Sequence, residues 1–125
     1  MNPNVSAFLD KAHRALDAAR LLADASDAAG AINRAYYAAF YAARAALLTV
    51  GETPKTHAGT HNRFRVRFVD TGQISAALGK VLPLAFDLRL GADYDALTVF
   101  DEAAVIDLLA DVDTFVQAGE PLLTS

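Results

Sequence analysis

Apolar residues recur at three- and four-residue intervals through most of the chain, the spacing that lines one face of an α-helix rather than a strand. In residues 5–23, Val5, Phe8, Leu9, Ala12, Ala15, Leu16, Ala19, Leu22 and Ala23 form one such face, with Asp10, Lys11, Arg14, Asp17 and Arg20 away from it. This pattern predicts a first amphipathic helix whose solvated side carries i,i+3 charge pairs and an exposed His13. Residues 25–30 predict a break, with Ser26 or Asp27 capping the next helix.

Residues 32–48 read differently. Wound at about 100° per residue, they separate into three stripes. One is apolar (Ile32, Tyr36, Ala39, Phe40, Ala43, Leu47) and one is almost bare of side chain (Ala35, Ala38, Ala42, Ala45, Ala46). The third mixes cations with phenols: Asn33, Arg34, Tyr37, Tyr41, Arg44 and Leu48. A helix with so little ordinary solvated surface is covered on most sides, so it is expected at the centre of a bundle, ending at Gly51 and Pro54.

Residues 56–69 show a weaker helical pattern, anchored by Phe64 and Phe68, and Lys55, Arg63, Arg65 and Arg67 make this the most basic part of the chain. Ser75 is expected to cap a helix over residues 75–92, kinked at Pro83, with Ala77, Leu78, Val81, Leu82, Ala85, Leu88 and Arg89 on one face. Gly91 opens a predicted loop. A last helix over residues 101–117 places Val105, Ile106, Leu108, Leu109, Val112, Phe115 and Val116 on its core face, and Gly119 and Pro121 end it. No strand pattern competes, so the expectation is one all-α domain spanning residues 1–125.

Composition narrows the chemistry. The 125 residues suffice for a core without metals or disulfides, and the absence of cysteine excludes thiol nucleophiles and thiolate zinc sites. The 54% hydrophobic fraction is largely alanine, favouring close helix packing. A formal net charge of -4 means that any contact with nucleic acid has to come from a local basic patch. With no signal-peptide pattern and no uncharged membrane-length stretch, a cytoplasmic protein without membrane contact is expected.

Three groups of residues carry candidate chemistry. His57 and His61 are four apart, as metal ligands on one helix face often are, but no third ligand follows them, so no metal is expected. A local cap or turn contact is expected of His57, and exposure of His61. Arg34, Tyr37, Tyr41 and Arg44 combine guanidinium groups, which suit phosphate, with rings, which suit base stacking or a protein interface; pairing inside the bundle is the alternative. Arg89, Asp93 and Tyr94 bring a cation, a carboxylate and a phenol to a helix end, where Arg89 and Asp93 have the spacing of an ion pair. No phosphate-cradling glycine loop, serine-centred triad or dinucleotide fingerprint is present, and no cofactor is expected.

The runs NRAYYAAFYAARAALL (33–48), GETPKTHAG (51–59) and LRLGADYD (88–95) together resemble the HEPN domain, closest to its small stand-alone prokaryotic branch. The resemblance implies an up-and-down bundle of four to five helices, usually a homodimer, often paired with a minimal nucleotidyltransferase as toxin and antitoxin or as a stress-linked RNA-processing system. Many such proteins are metal-independent ribonucleases carrying arginine, four to six residues, then histidine. Here the arginine is Arg89, and no histidine follows His61. The shortest spacing falls on Tyr94, so the catalytic motif is not intact.

The resulting expectation is a dimeric HEPN-type bundle that binds RNA, a nucleotide or a partner nucleotidyltransferase through Asn33, Arg34, Tyr37, Tyr41, Arg44, His57, Arg89, Asp93 and Tyr94. Should such a partner modify the chain, Tyr94 is the first hydroxyl to check. The alternatives are a degenerate metal-independent ribonuclease, with Asp93, Tyr94 or His57 replacing the missing base, and a purely structural adaptor.

Overall fold

In the computed structural model, which describes residues 1–124, every regular element is helical. Helix α1 (Pro3–Asp24) starts at Asn2, whose side chain accepts from the Asn4 N–H, and Pro3 needs no partner in the first turn. The chain reverses within residues 25–27, where Ser26 adopts a positive φ of 63°. Asp27 then caps α2 (Ala28–Thr49) by accepting from the Gly30 N–H, so the break is shorter than the composition of residues 25–30 suggests.

Helix α2 occupies the centre, packing against α1 and against α3 (His57–Phe64), α5 (Val81–Tyr94) and α6 (Glu102–Gly119). Both its apolar stripe and its alanine stripe are buried, and the Arg–Tyr stripe is half-buried throughout. Alanine lets neighbouring backbones come close on one side while Ile32, Tyr36, Phe40 and Leu47 fill the core on the other. Gly51, at φ +76°, takes the left-handed conformation that ends the helix without a Cβ penalty.

Thr56 caps α3, after which residues Arg65–Val69 widen into a π-helical turn marked by the Asp70 N–H reaching back to the Arg65 carbonyl. Phe64 and Phe68 are both buried, with the Phe64 ring 5.3 Å from that of Phe115 of α6 in a tilted arrangement. Ser75 caps a helix as expected, but that helix, α4 (Ala76–Gly79), is a single turn. Instead of a kink at Pro83 the chain breaks at Lys80 and restarts, which puts Pro83 in the first turn of α5, where a backbone N–H has no intrahelical partner to lose.

Two further expectations are corrected. Gly91 does not open a loop; α5 continues to Tyr94, and the Asp95 N–H still bonds to the Gly91 carbonyl. Ile106 is 57% exposed although its neighbours Val105 and Leu108 are buried, because the core-facing stripe of α6 runs through Val105, Leu108, Val112, Phe115 and Val116. A 3-10 turn, Glu120–Thr124, closes the described chain; Glu120 meets His13 of α1 at 2.9 Å and Leu123 is buried. No helix among the described residues is long and apolar enough to cross a membrane.

Candidate functional site

The site is built on a side chain that periodicity assigns simply to the core. The ring of Tyr36 is fully buried, and its hydroxyl lies 2.6 Å from Nδ1 of His57 and 2.9 Å from Nε2 of His61. The four-residue spacing that puts both imidazoles on one face of α3 aims them at this phenol. His61 is therefore half-buried and hydrogen-bonded rather than exposed, and His57 does more than brace a turn. Its ring lies 4.6 Å from that of Phe40, and both imidazoles border Phe86 of α5.

Above this trio stands Arg89. Its guanidinium lies 5.5 Å from the Tyr36 ring centre and 5.2 Å from that of Tyr37, within the range of cation–π attraction. Arg89 and His57 both border Tyr36, Tyr37 and Phe86, so α3 and α5 deliver a cation and an imidazole to one place. Nε of Arg89 donates to Asp93 at 3.1 Å, and the arginine side chain is only 13% exposed. Asn33 donates to the same carboxylate and accepts from Nε and Nη2 of Arg34, whose guanidinium lies 5.0 Å from the Tyr37 ring. Tyr37 is thus in contact with two guanidiniums, of which Arg89 is paired with the Asp93 carboxylate and Arg34 with the Asn33 side-chain oxygen.

The remaining half of the stripe is engaged elsewhere. Arg44 donates to the Pro54 carbonyl and packs against Phe8 and Phe40, tying the α2–α3 connection to the bundle. Tyr41 meets Phe8 and the ammonium of Lys11. Tyr94 is 77% exposed and enters none of these contacts. The basic segment is not a free cationic patch: Glu52 receives both Arg63 and Arg67, and Arg65 pairs with Asp70. Those two guanidiniums hold the Glu52 carboxyl down at about 2.

Burial sets the protonation of the centre. It lowers both histidines below their ordinary 6.5, with Arg89 and Arg44 adding to the effect at His57 and His57 adding to it at His61, where Asp87 opposes. Burial also pushes the Tyr36 phenol well above its usual range, against the pull of Arg89. Near neutral pH the trio is therefore three uncharged groups sharing protons, beside a fixed cation. Among the described residues no group of three or more ligand-type side chains could hold a metal ion. Among the same residues, Nε2 of His57 and both Nη atoms of Arg89 have no protein partner, and no unpartnered side-chain nitrogen is buried. They reach solvent.

A HEPN domain profile matches residues 5–121, nearly the whole chain. This chain belongs to the HEPN family. Among the relatives of the HEPN chain, a UPF0332 protein of Thermotoga maritima is 36% identical over 113 residues, 90% of this chain and 86% of the relative. A protein of Methanocaldococcus jannaschii named as a putative toxin is 38% identical over 90 residues, covering 72% and 67%. A UPF0332 protein of Gloeobacter violaceus is 36% identical over 94 residues, or 75% of each chain. In this HEPN bundle Arg89, which the resemblance places in the family's arginine–histidine motif, has no histidine after it, yet the His57 imidazole of α3 borders the same three rings.

Proposed function

We propose that this HEPN protein is the RNA-directed component of a toxin–antitoxin-type system and that it holds an RNA phosphodiester at the Arg34–Tyr37–Arg89 centre. The observation that carries this reading is the pair of guanidiniums on Tyr37, of which only Arg89 has a carboxylate partner, Asp93, leaving an excess of one positive charge within a half-buried site. Guanidinium nitrogens suit phosphate oxygens, and the tyrosine ring offers a base a flat face. The name of the Methanocaldococcus jannaschii relative supports the toxin side of the assignment. The loop after α5 supports a second copy or an antitoxin such as a nucleotidyltransferase as a docked partner, since Leu97 and Val99 are more than nine-tenths exposed. Fluorescence anisotropy with a labelled oligoribonucleotide tests the RNA site. Arg89→Ala is expected to weaken binding at least tenfold and to reduce its salt dependence. Equal affinities of the two proteins would remove the assignment.

The position of His57 against the same three rings as Arg89 favours a second reading, in which the bound RNA is also cleaved. The 2′-oxygen attacks phosphorus, the bond to the 5′-oxygen breaks, and a cyclic phosphate and a 5′-hydroxyl result. Arg89 stabilises the phosphate oxygens while His57 moves the proton. Cleavage of RNA in chelator that is lost in both Arg89→Ala and His57→Ala supports this reading; RNA left intact by the unmodified protein rejects it.

A further inference from the structure

We propose that Tyr36 and His61 form a reversible proton relay for His57, which lets one imidazole serve first as base and then as acid. The inference rests on the cleavage reading of the same site. Its geometric basis is the shared hydroxyl, 2.6 Å from Nδ1 of His57 and 2.9 Å from Nε2 of His61. A phenol carries one proton, so it donates to one imidazole and accepts from the other. Only two arrangements satisfy all three groups. In the first, Tyr36 donates to Nδ1 of His57 and accepts from the N–H at Nε2 of His61, leaving the proton of His57 on Nε2. In the second every hydrogen bond is reversed: both histidines carry their proton on Nδ1, and Nε2 of His57 is a free base.

The two arrangements interconvert by passing a proton from end to end. When Nε2 of His57 takes the proton of a 2′-hydroxyl, its Nδ1 proton moves to the phenol oxygen. The phenol proton moves to Nε2 of His61, and the proton on Nδ1 of His61 leaves to solvent. The reverse passage supplies the departing 5′-oxygen, so the cycle restores the protein with no proton gained or lost. The ends of the relay are suitably placed. Nε2 of His57 has no protein partner among the described residues, whereas His61 borders a 160 Å³ cavity with Asn62, Arg65 and Pro83, roomy enough for water.

The surrounding charges explain why a relay is useful. Arg44 and Arg89 both oppose a positive charge on His57, so a proton retained there is unfavourable. At His61 the facing charge is Asp87, which favours one. The hydroxyl moves protons between these unequal ends while burial keeps the phenol itself neutral.

Long-range nitrogen–proton NMR of the full chain with labelled histidine reads the tautomers without any RNA. The relay requires His57 and His61 to share one tautomer, both Nε2–H or both Nδ1–H, and to change together. Opposite tautomers in the unmodified protein would overturn it, and so would a Tyr36→Phe variant in which the two rings remain coupled. In the cleavage assay, Tyr36→Phe is expected to lower kcat by about a hundredfold, as loss of acid–base assistance does, with KM little changed. Unaltered kcat would also reject the relay. A protein that leaves RNA intact but keeps the tautomers coupled would reject the cleavage reading and retain the proton pathway.

Discussion

Asn33 donates its side-chain amide to both oxygens of Asp93, at 3.3 and 3.2 Å, across sixty positions of sequence. This joins the beginning of α2 to the end of α5 and fixes the carboxylate that orients Arg89. Asn33→Ala is expected to lower stability by about 1 kcal/mol, the range of one hydrogen bond to a charged, partly solvated group. A double-mutant cycle with Asp93→Ala in urea denaturation should return a coupling of about 0.5 kcal/mol or more. Additive losses would show that the amide and carboxylate act separately.

The half-buried histidines of α3 predict an acid-sensitive fold. Both have folded-state values below their ordinary 6.5, so below about pH 6.5 the unfolded chain binds protons that the folded chain resists. Their contribution is intact above that pH and is lost as pH falls towards the lower folded values. The melting temperature should therefore drop between pH 7 and 5, and the combined variant His57→Gln and His61→Gln should flatten that segment of the curve. An equally steep fall in the variant would assign the sensitivity to other groups.

Glu52 predicts a second, lower window. Its carboxyl is held at about 2 against an ordinary 4.5 by Arg63 and Arg67. The stabilisation is present above about 4.5 and disappears as pH falls towards 2. Thermal melts across this range should show the loss in the unmodified protein and not in Glu52→Gln. At neutral pH the same variant releases two guanidiniums, and its retention on an immobilised polyanion should increase.

Gly79 predicts a packing failure. A Cβ there would stand 2.7 and 2.9 Å from the two methyl groups of Val69, on a short branched side chain that cannot swing away. Gly79→Ala is expected to cost about 1–3 kcal/mol by overpacking, despite the gain in helix propensity. Val69→Ala should recover much of the loss in the double variant, as read from urea midpoints.

Tyr94, at 77% exposed, is the phenol that a modifying partner reaches without unfolding the bundle. Mass spectrometry of the chain co-expressed with a minimal nucleotidyltransferase is expected to place any added nucleotidyl group there, and an unmodified Tyr94 beside modification elsewhere would redirect attention to the other hydroxyls.

Much of this architecture is legible in the sequence because it depends on neighbours along the chain. The stripes of α2, the cap at Ser75, the stop at Gly51 and the spacing of Arg89 and Asp93 all follow from local periodicity and backbone preference. The centre of the site depends on what meets across helices, which periodicity does not encode. Tyr36 falls on an apolar stripe, and nothing in its spacing says that its hydroxyl is aimed at two histidines of α3. His61, read alone, sits among polar neighbours; its burial comes from Phe86, on a helix that starts twenty positions later. The signal that could have joined them is that a buried phenol requires a polar partner, and two imidazoles on one helix face offer one. At Gly91 the local reading erred because tertiary anchoring through Asp93 and Asn33 holds the last turn of α5 in place.

Arg89, the cation of the site, is also the final lysine or arginine in the chain, while eight of the fifteen acidic residues come after it. The segment beyond it, α6 included, therefore carries acidic residues and no lysine or arginine, with Asp113 paired to Arg20 of α1. To an approaching polyanion such a molecule is lopsided: α6 repels it, and the field turns it towards the rim formed by α2 and α5. For the RNA strand proposed above, the direction of arrival would thus be set by residues that never touch it, and reversing charges on α6 would change how fast it docks more than how tightly it stays.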